Sequence, residues 1–285
     1  MSQLQKEIAK ITASALIEDG ALSDKTSDLV IKDNYIIDFA IKAKEDMVFC
    51  GQDIPLIVFN NLRKYNKFKN SFLDIILKIK DGDKLRSGDI IANGKCDAKL
   101  ILAGERVLLN LMQHLSGIAT ITDKFVRRLD NNNIKILDTR KTMLNLRYLQ
   151  KYAVTKGGGF NHRFNLKDMI MIKDNHIALS GNIESAIRSC QKNKKLKIEV
   201  ECDNYDQVNI AINNKPDVIM LDNMSIDNIK KCIKTIHSYD KNIKIEVSGD
   251  INLDNINNYK NLDIDFISIG YLTHSVRASN ISLEC

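Results

Sequence analysis

From about residue 134 onward the apolar positions of this chain come in short blocks. Ile134–Leu137, Met169–Ile172, Ile198–Val200, Val218–Leu221, Ile243–Val247 and Phe266–Ile269 are brief, mostly apolar and rich in β-branched residues. That pattern predicts parallel strands buried on both faces. Amphipathic stretches separate them. Asn182–Lys194, Asn204–Asn213, Ser225–His237 and Asn252–Tyr259 each begin at or follow a Ser, Asn or Asp suited to cap a helix. Strand and helix in alternation imply right-handed βαβ units, hence an α/β barrel or a doubly wound sheet.

The residues that follow each block favour the barrel. In order they are Asp138-Thr139-Arg140-Lys141, Lys173, Glu201, Asp222, Ser248-Gly249-Asp250 and Gly270. In a barrel all these strand ends converge on one rim, where active sites form. In an open sheet only the strands near the switch point would contribute. The first hundred or so residues differ: a helical pattern over Lys6–Leu16, strand-like runs at Tyr35–Ile41, Asp46–Cys50 and Ile90–Asn93, and turn signals at Asp81-Gly82-Asp83 and Ser87-Gly88-Asp89. This is an α+β pattern. Leu100–Thr122 reads as a long, buried helix bridging the two parts.

Composition narrows the function. With 44% hydrophobic and 27% charged residues the chain is an ordinary soluble globular protein. It has no apolar run long enough to span a bilayer and nothing like a signal peptide near Met1, so a cytosolic location is expected. Cys50, Cys96, Cys190, Cys202, Cys232 and Cys285 form no C-x-x-C pair and read as free thiols. A net charge of +6 suits acidic metabolites, while the low aromatic content argues against a base-stacking surface for nucleic acid.

Residues 138–176 carry the strongest chemical signal. They hold Arg140, Lys141, Arg147, Lys151, Lys156, Arg163, Lys167 and Lys173 against only Asp138, Asp168 and Asp174, with His162, His176 and Gly157-Gly158-Gly159 among them. Cations at strand ends beside a glycine run describe a pocket for a multiply anionic small molecule; the plainer reading is a basic surface patch. Glu201 and Asp222 face the same rim and could hold Mg²⁺ through oxygen ligands, or pair with the neighbouring cations. Ser248-Gly249 and Gly270 sit where barrel enzymes bind phosphate. His114, His237 and His274 are taken as structural, and His176 as orienting the loop after Lys173.

These motifs resemble the quinolinate phosphoribosyltransferase family. The match runs through Glu105-Arg106 to Asn110, Leu115 to Thr120, Asp138 to Thr142, Lys151 to Val154, Gly157 to Arg163, Ile172 to Ile177, Glu199 to Glu201, Met220 to Asn223, Val247 to Gly249, and Ile269-Gly270 with Leu272 to Ser275. Glu18-Asp19 and Asp24 to Ser27 resemble the family's N-terminal motif. The resemblance implies an N-terminal α/β sandwich over 1–107, an incomplete TIM-like α/β barrel over 108–274, and a segment 275–285 that returns to the first domain. It implies a homodimer, or a larger homo-oligomer, with a shared active site; composition already argues for a cytoplasmic protein with no membrane or nucleic-acid partner. Arg140, His162, Arg163 and Lys173 would hold the carboxylates of quinolinate, with Arg106 supplied by the partner. Lys141 would contact phosphoribosyl pyrophosphate, Glu201 and Asp222 would serve the ribose and Mg²⁺, and Ser248, Gly249 and Gly270 the 5-phosphate. Leu144-Asn145 departs from the family's Pro-Gly, so a different turn is expected there. Asp250 puts an anion where the family usually has Gly or Asn. A related family associated with molybdate transport, and a basic nucleic-acid-binding module, are the alternatives.

Overall fold

The computed structural model describes residues 1–285, which form two compact units. One holds residues 1–123, 142–158 and 273–285; the other holds 124–141 and 159–272. The first is thus larger than the expected 1–107 plus 275–285, because most of the long bridging helix and the 142–158 segment fold with it.

The first unit opens on α1 (Gln3–Glu18), capped by a reciprocal Ser2–Gln5 box. Its buried Ile8, Thr12 and Leu16 recur every four residues and so share one face. Then come α2 (Lys25–Val30), β1 (Ile36–Ala43), β2 (Met47–Val48), α3 (Ile54–Leu62), β3 (Leu73–Leu77), β4 (Lys84–Leu85), β5 (Ile90–Asp97) and α4 (Ala98–Leu129). β1, β5 and β3 form an antiparallel sheet. The strand expected over Asp46–Cys50 shrinks to the two residues of β2, which pair with β4. The reason lies in α4. The Val48 amide donates to Thr120 Oγ1 at 2.9 Å and the Cys50 amide to Ser116 Oγ at 3.0 Å, so helix hydroxyls take the place of a strand partner.

The second unit contributes β6 (Lys135–Leu137), β7 (Ile170–Ile172), β8 (Ile198–Cys202), β9 (Val218–Asp222), β10 (Lys244–Ser248) and β11 (Phe266–Ser268). All six expected strands are present. They pair in parallel in the order β7-β8-β9-β10-β11-β6. Chain order is therefore kept around the sheet, and the last strand closes on the first. β6 and β7 are not paired, so the result is an incomplete α/β barrel with one open seam.

Between β6 and β7 lies α5 (Arg147–Lys156), a helix masked in the sequence by its charge; it belongs to the first unit. α6 (Asp174–Ser180), α7 (Ile183–Cys190), α8 (Tyr205–Asn213) and α9 (Ile226–Tyr239) alternate with the later strands. Asn182, Asn204 and Ser225 cap α7, α8 and α9 through their side chains, as expected. α9 buries Ile229, Cys232, Ile233 and Ile236, the i, i+3, i+4, i+7 spacing of one helical face. The helix expected over Asn252–Tyr259 is only a 3₁₀ turn at Ile256–Tyr259. Here Asn252 Oδ1 accepts from the amides of Asp254 and Asn255, and Asn255 Nδ2 donates to the Asp250 carbonyl. Side-chain amides thus compete with the backbone and keep the segment out of α geometry.

The chain ends with α10 (Tyr271–His274) and β12 (Ile281–Glu284). β12 adds to the free edge of β1, with Ala43 opposite Ile281 and Lys42 Nζ 2.6 Å from Glu284 Oε2. No helix is long and apolar enough to cross a membrane.

Asp81 ties the first unit together. Its Oδ1 accepts from the amides of Gly51 and Gln52 at 2.6 and 2.8 Å, and its Oδ2 from the Tyr152 hydroxyl on α5 at 2.7 Å. Burial and this bond to a carboxylate raise the Tyr152 pKa. Tyr152→Phe is expected to lower the unfolding free energy by about 1–2 kcal/mol in urea melts, and Asp81→Ala by more, since two amides then also lose their acceptor. A neutral Tyr152→Phe would place the anchor of α5 elsewhere.

Candidate active site

The C-terminal ends of the barrel strands carry the charged residues picked out above. After β6 the chain runs into Asp138, which is fully buried. Its amide donates to the Phe160 carbonyl at 3.1 Å, the Phe160 amide donates to the Ile136 carbonyl at 2.8 Å, and Asp138 Oδ1 accepts from the His162 amide at 2.9 Å. Residues 160–162 therefore dock along β6 as a short strand-like piece, with Phe160 bridging Leu137. This piece occupies the β6 side of the open seam. Arg163 follows it, and its Nη1 donates to the Met169 carbonyl at 3.2 Å, just ahead of β7. Asp168 accepts from the amides of Phe164 and Asn165, which fixes the turn between.

The seam brings cations together. Arg163 is half-buried. Its pKa is lowered first by burial and next by the charge of Arg140, while Glu199 and Asp168 act in the opposite sense. Two guanidinium groups close enough to oppose each other's charge are a site for an anion. Lys141 is exposed, its amide held by Thr139 Oγ1 at 3.0 Å. Lys173 follows β7, and its amide donates to His176 Nδ1 at 3.0 Å, which sets the turn into α6.

The acids lie on the next strands. Lys173 Nζ pairs closely with Glu201 of β8. Glu201 stands opposite Met220 of β9, so Asp222, two residues on, shares its face one pleat nearer the rim. Asp222 Oδ2 accepts from Asn223 Nδ2 at 2.7 Å, and the Asn223 amide donates to the Ser248 carbonyl at 3.0 Å. This links the β9 and β10 ends. Gly249 adopts φ +99°, and a Cβ there would lie 2.1 Å from Asn223 Oδ1, so glycine is needed on both counts. Asp250 also has positive φ, at 41°, and its side chain is exposed. In the first unit Asn145 has φ 62°, so the turn at Leu144-Asn145 keeps a left-handed residue without glycine.

His162 points elsewhere than its neighbours. Its side chain is 6% exposed, and its Nε2 lies 3.1 Å from Glu199 Oε2 and 3.5 Å from Glu246 Oε2. Glu199 is on β8 and Glu246 on β10, with β9 between them. Side chains from these two strands can meet one histidine only inside the barrel. Burial alone would lower the His162 pKa, but hydrogen bonds to the two carboxylates, with their charges, outweigh it and raise it to about 9. Burial and the charge of Glu246 raise the Glu199 pKa, against the pull of His162. The Arg163 amide meanwhile donates to His162 Nδ1 at 2.6 Å. The carboxylates favour the imidazolium, whereas this amide needs the Nδ1 lone pair. Both agree on a proton at Nε2.

Glu199 and Glu246 were missed as site residues. The available signal was a charged residue in the middle of each of two apolar runs, Ile198-Glu199-Val200 and Ile245-Glu246-Val247. The barrel unit contains Arg140, Lys141, His162, Arg163, Lys173, Glu201, Asp222, Ser248, Gly249 and Gly270. Arg106 lies in the first unit on α4, exposed, with Glu105 3.8 Å away. None of the six cysteines is in a disulfide; burial raises the thiol pKa of Cys50 and Cys202, which makes them unreactive.

A seamed α/β barrel with an arginine pair beside a Lys–Glu–Asp rim defines a site class suited to a multiply anionic small molecule. The description "Quinolinate phosphoribosyl transferase, C-terminal domain" matches residues 118–284, and the corresponding N-terminal domain matches 24–116. The chain belongs to the quinolinate phosphoribosyltransferase family. It is 41% identical to the probable nicotinate-nucleotide pyrophosphorylase [carboxylating] of Bacillus subtilis, over all of this chain and 94% of that one. It is 40% identical to the protein of the same description in Methanocaldococcus jannaschii, over 96% of each. Among solved structures, NadC from Streptococcus pyogenes superposes with a TM-score of 0.89 at 37% identity, covering 100% of this chain and 97% of the other. The nicotinate-nucleotide pyrophosphorylase of Ehrlichia chaffeensis gives 0.89 at 39%, covering 100% and 98%.

The Gly249 geometry gives a direct test of the β9–β10 link. Gly181 has a similar φ of +90°, but a Cβ there meets nothing within 4 Å. Gly181→Ala should cost about 1 kcal/mol of stability from backbone strain alone. Gly249→Ala should cost roughly 1–3 kcal/mol more, because Asn223 must also move. Equal losses in denaturant melts would show that Asn223 yields freely.

Proposed function

We infer that this chain transfers the phosphoribosyl group of phosphoribosyl pyrophosphate to quinolinate and releases CO₂ and pyrophosphate, giving nicotinate mononucleotide for NAD synthesis. The observation that carries the reading is the gathering of Arg140, Arg163 and Lys173 along the seam, facing Glu201 and Asp222, in a chain of this family.

The chemistry uses each group. Arg140, Arg163 and Lys173 suit the two carboxylates of quinolinate: the guanidinium forks orient them and the ammonium adds a point charge. His162, committed through Nε2 to buried acids, shapes the wall behind Arg163. Attack of the pyridine nitrogen on C1 of the ribose breaks the C1–O bond to pyrophosphate. Positive charge grows on the sugar and negative charge on the leaving group. Lys141 neutralises the latter, and the rim carboxylates favour the former. The C2–carboxylate bond then breaks, its electrons pass into the ring next to the cationic nitrogen, and C2 takes up a proton.

Glu201 and Asp222 present oxygen donors on one face of adjacent strands, which fits Mg²⁺. When bound there, Mg²⁺ would supply charge stabilisation to the pyrophosphate. Ser248, Gly249 and Gly270 lie at the last strand ends, suited to the 5-phosphate. CO₂ release from carboxyl-labelled quinolinate, dependent on phosphoribosyl pyrophosphate, tests the reading; retention of the label by an otherwise folded protein would overturn it.

The site is completed by a second copy of the chain in a homodimer or larger homo-oligomer, through Arg106. Arg106 is exposed on α4, away from any barrel strand end. Arg106→Ala and Lys173→Ala should each be nearly inactive alone yet complement on mixing. Random re-pairing makes about half the dimers mixed, each with one intact site of two, so activity should recover to roughly a quarter of wild type. No recovery, with subunit exchange confirmed by native mass spectrometry, would remove Arg106 from the partner's site.

A further inference from the structure

The buried acids inside the barrel have no part in the reaction as derived above. Glu199 and Glu246 are each about 1% exposed, and one carboxylate oxygen of each, Oε1, has no hydrogen-bond partner. Two carboxylates in a barrel core are costly, and apolar residues of similar volume are often neutral or stabilising in such places. Their presence therefore points to a purpose other than stability.

What they touch identifies that purpose. Both reach His162 Nε2, at 3.1 and 3.5 Å. His162 belongs to the segment that docks on β6 across the open seam. Backbone bonds between Phe160 and β6 and the Asp138 side chain also hold that segment. The next residue is Arg163, whose amide contacts His162 Nδ1 at 2.6 Å. A shift of the imidazole is thus transmitted directly to the Arg163 backbone.

We propose that Glu199 and Glu246 are positioning residues for the anion clamp: from β8 and β10 they hold His162 across the barrel interior, and through it they set where Arg163 presents its guanidinium. This rests on the reading of the seam as the quinolinate site. The same three side chains could in principle ligate a metal ion, since their donor atoms lie within 4.8 Å of one another. The positioning role is favoured because the imidazole N–H already accounts for the approach of both carboxylates.

Glu199→Gln and Glu246→Gln keep the shape and remove the charge. Each should raise the KM for quinolinate by roughly ten- to a hundred-fold while the KM for phosphoribosyl pyrophosphate moves less than about two-fold, as expected when a clamp is misplaced by a fraction of an ångström to an ångström. A double-mutant cycle of Glu246→Gln with Arg163→Lys should be strongly non-additive in kcat/KM for quinolinate. If the single variants do not fold, the triple variant Glu199→Met, Glu246→Met, His162→Leu removes every member of the cluster together and leaves no charge stranded. It should fold, with the quinolinate KM raised as in the single variants.

Four results would overturn the proposal: an unchanged quinolinate KM, additivity in the cycle, failure of the triple variant to fold, or one equivalent of tightly held metal in the wild type that Glu246→Gln abolishes. A wild-type enzyme that releases no CO₂ from quinolinate would instead sink the functional reading. Wild-type turnover with unaltered variants sinks only the positioning role.

Discussion

A parallel barrel with an open seam must close its interior with something other than a strand, and the rest of this site depends on how that is done. Here the closing piece is residues 160–162, laid on β6 by backbone hydrogen bonds and fastened across the interior by His162 to Glu199 and Glu246. Because the seam is spanned by a loop, the residues next to it are free to be functional. Arg163 reaches the Met169 carbonyl on the β7 side, Arg140 follows β6, and Lys173 follows β7. The cations are concentrated where the ladder is missing.

This arrangement divides the unit by charge. The seam between β6 and β7 is cationic, β8 and β9 present Glu201 and Asp222, and the ends of β10 and β11 present Ser248, Gly249 and Gly270. In the proposed reaction, the two carboxylates of the substrate, the pyrophosphate and the terminal phosphate would each meet suitable chemistry in order around the rim. The Lys173–Glu201 pair joins the first two regions.

Much of this was legible in the chain. The six barrel strands follow from short apolar runs, since a strand buried on both faces needs no polar alternation, and the helix starts at Asn182, Asn204 and Ser225 follow from capping chemistry. The rim residues were readable because each directly follows an apolar run. Other features were hidden for physical reasons. α5 was obscured because its cations read as a binding segment, and the Asn252–Tyr259 stretch has helix-like apolar spacing that its own asparagine side chains override. The inward roles of Glu199 and Glu246 require knowing that β8 and β10 face a common interior, which is a property of strand order and curvature.

Recognition of two carboxylates by the seam is tested most directly by comparing kcat/KM for quinolinate with that for nicotinate, which lacks the 2-carboxylate, under identical phosphoribosyl pyrophosphate and Mg²⁺. Each charge-assisted hydrogen bond lost is worth roughly 1.5–3 kcal/mol, so loss of one carboxylate and its bidentate contacts should lower kcat/KM by about a hundred-fold or more. Comparable values for the two acids would contradict the account.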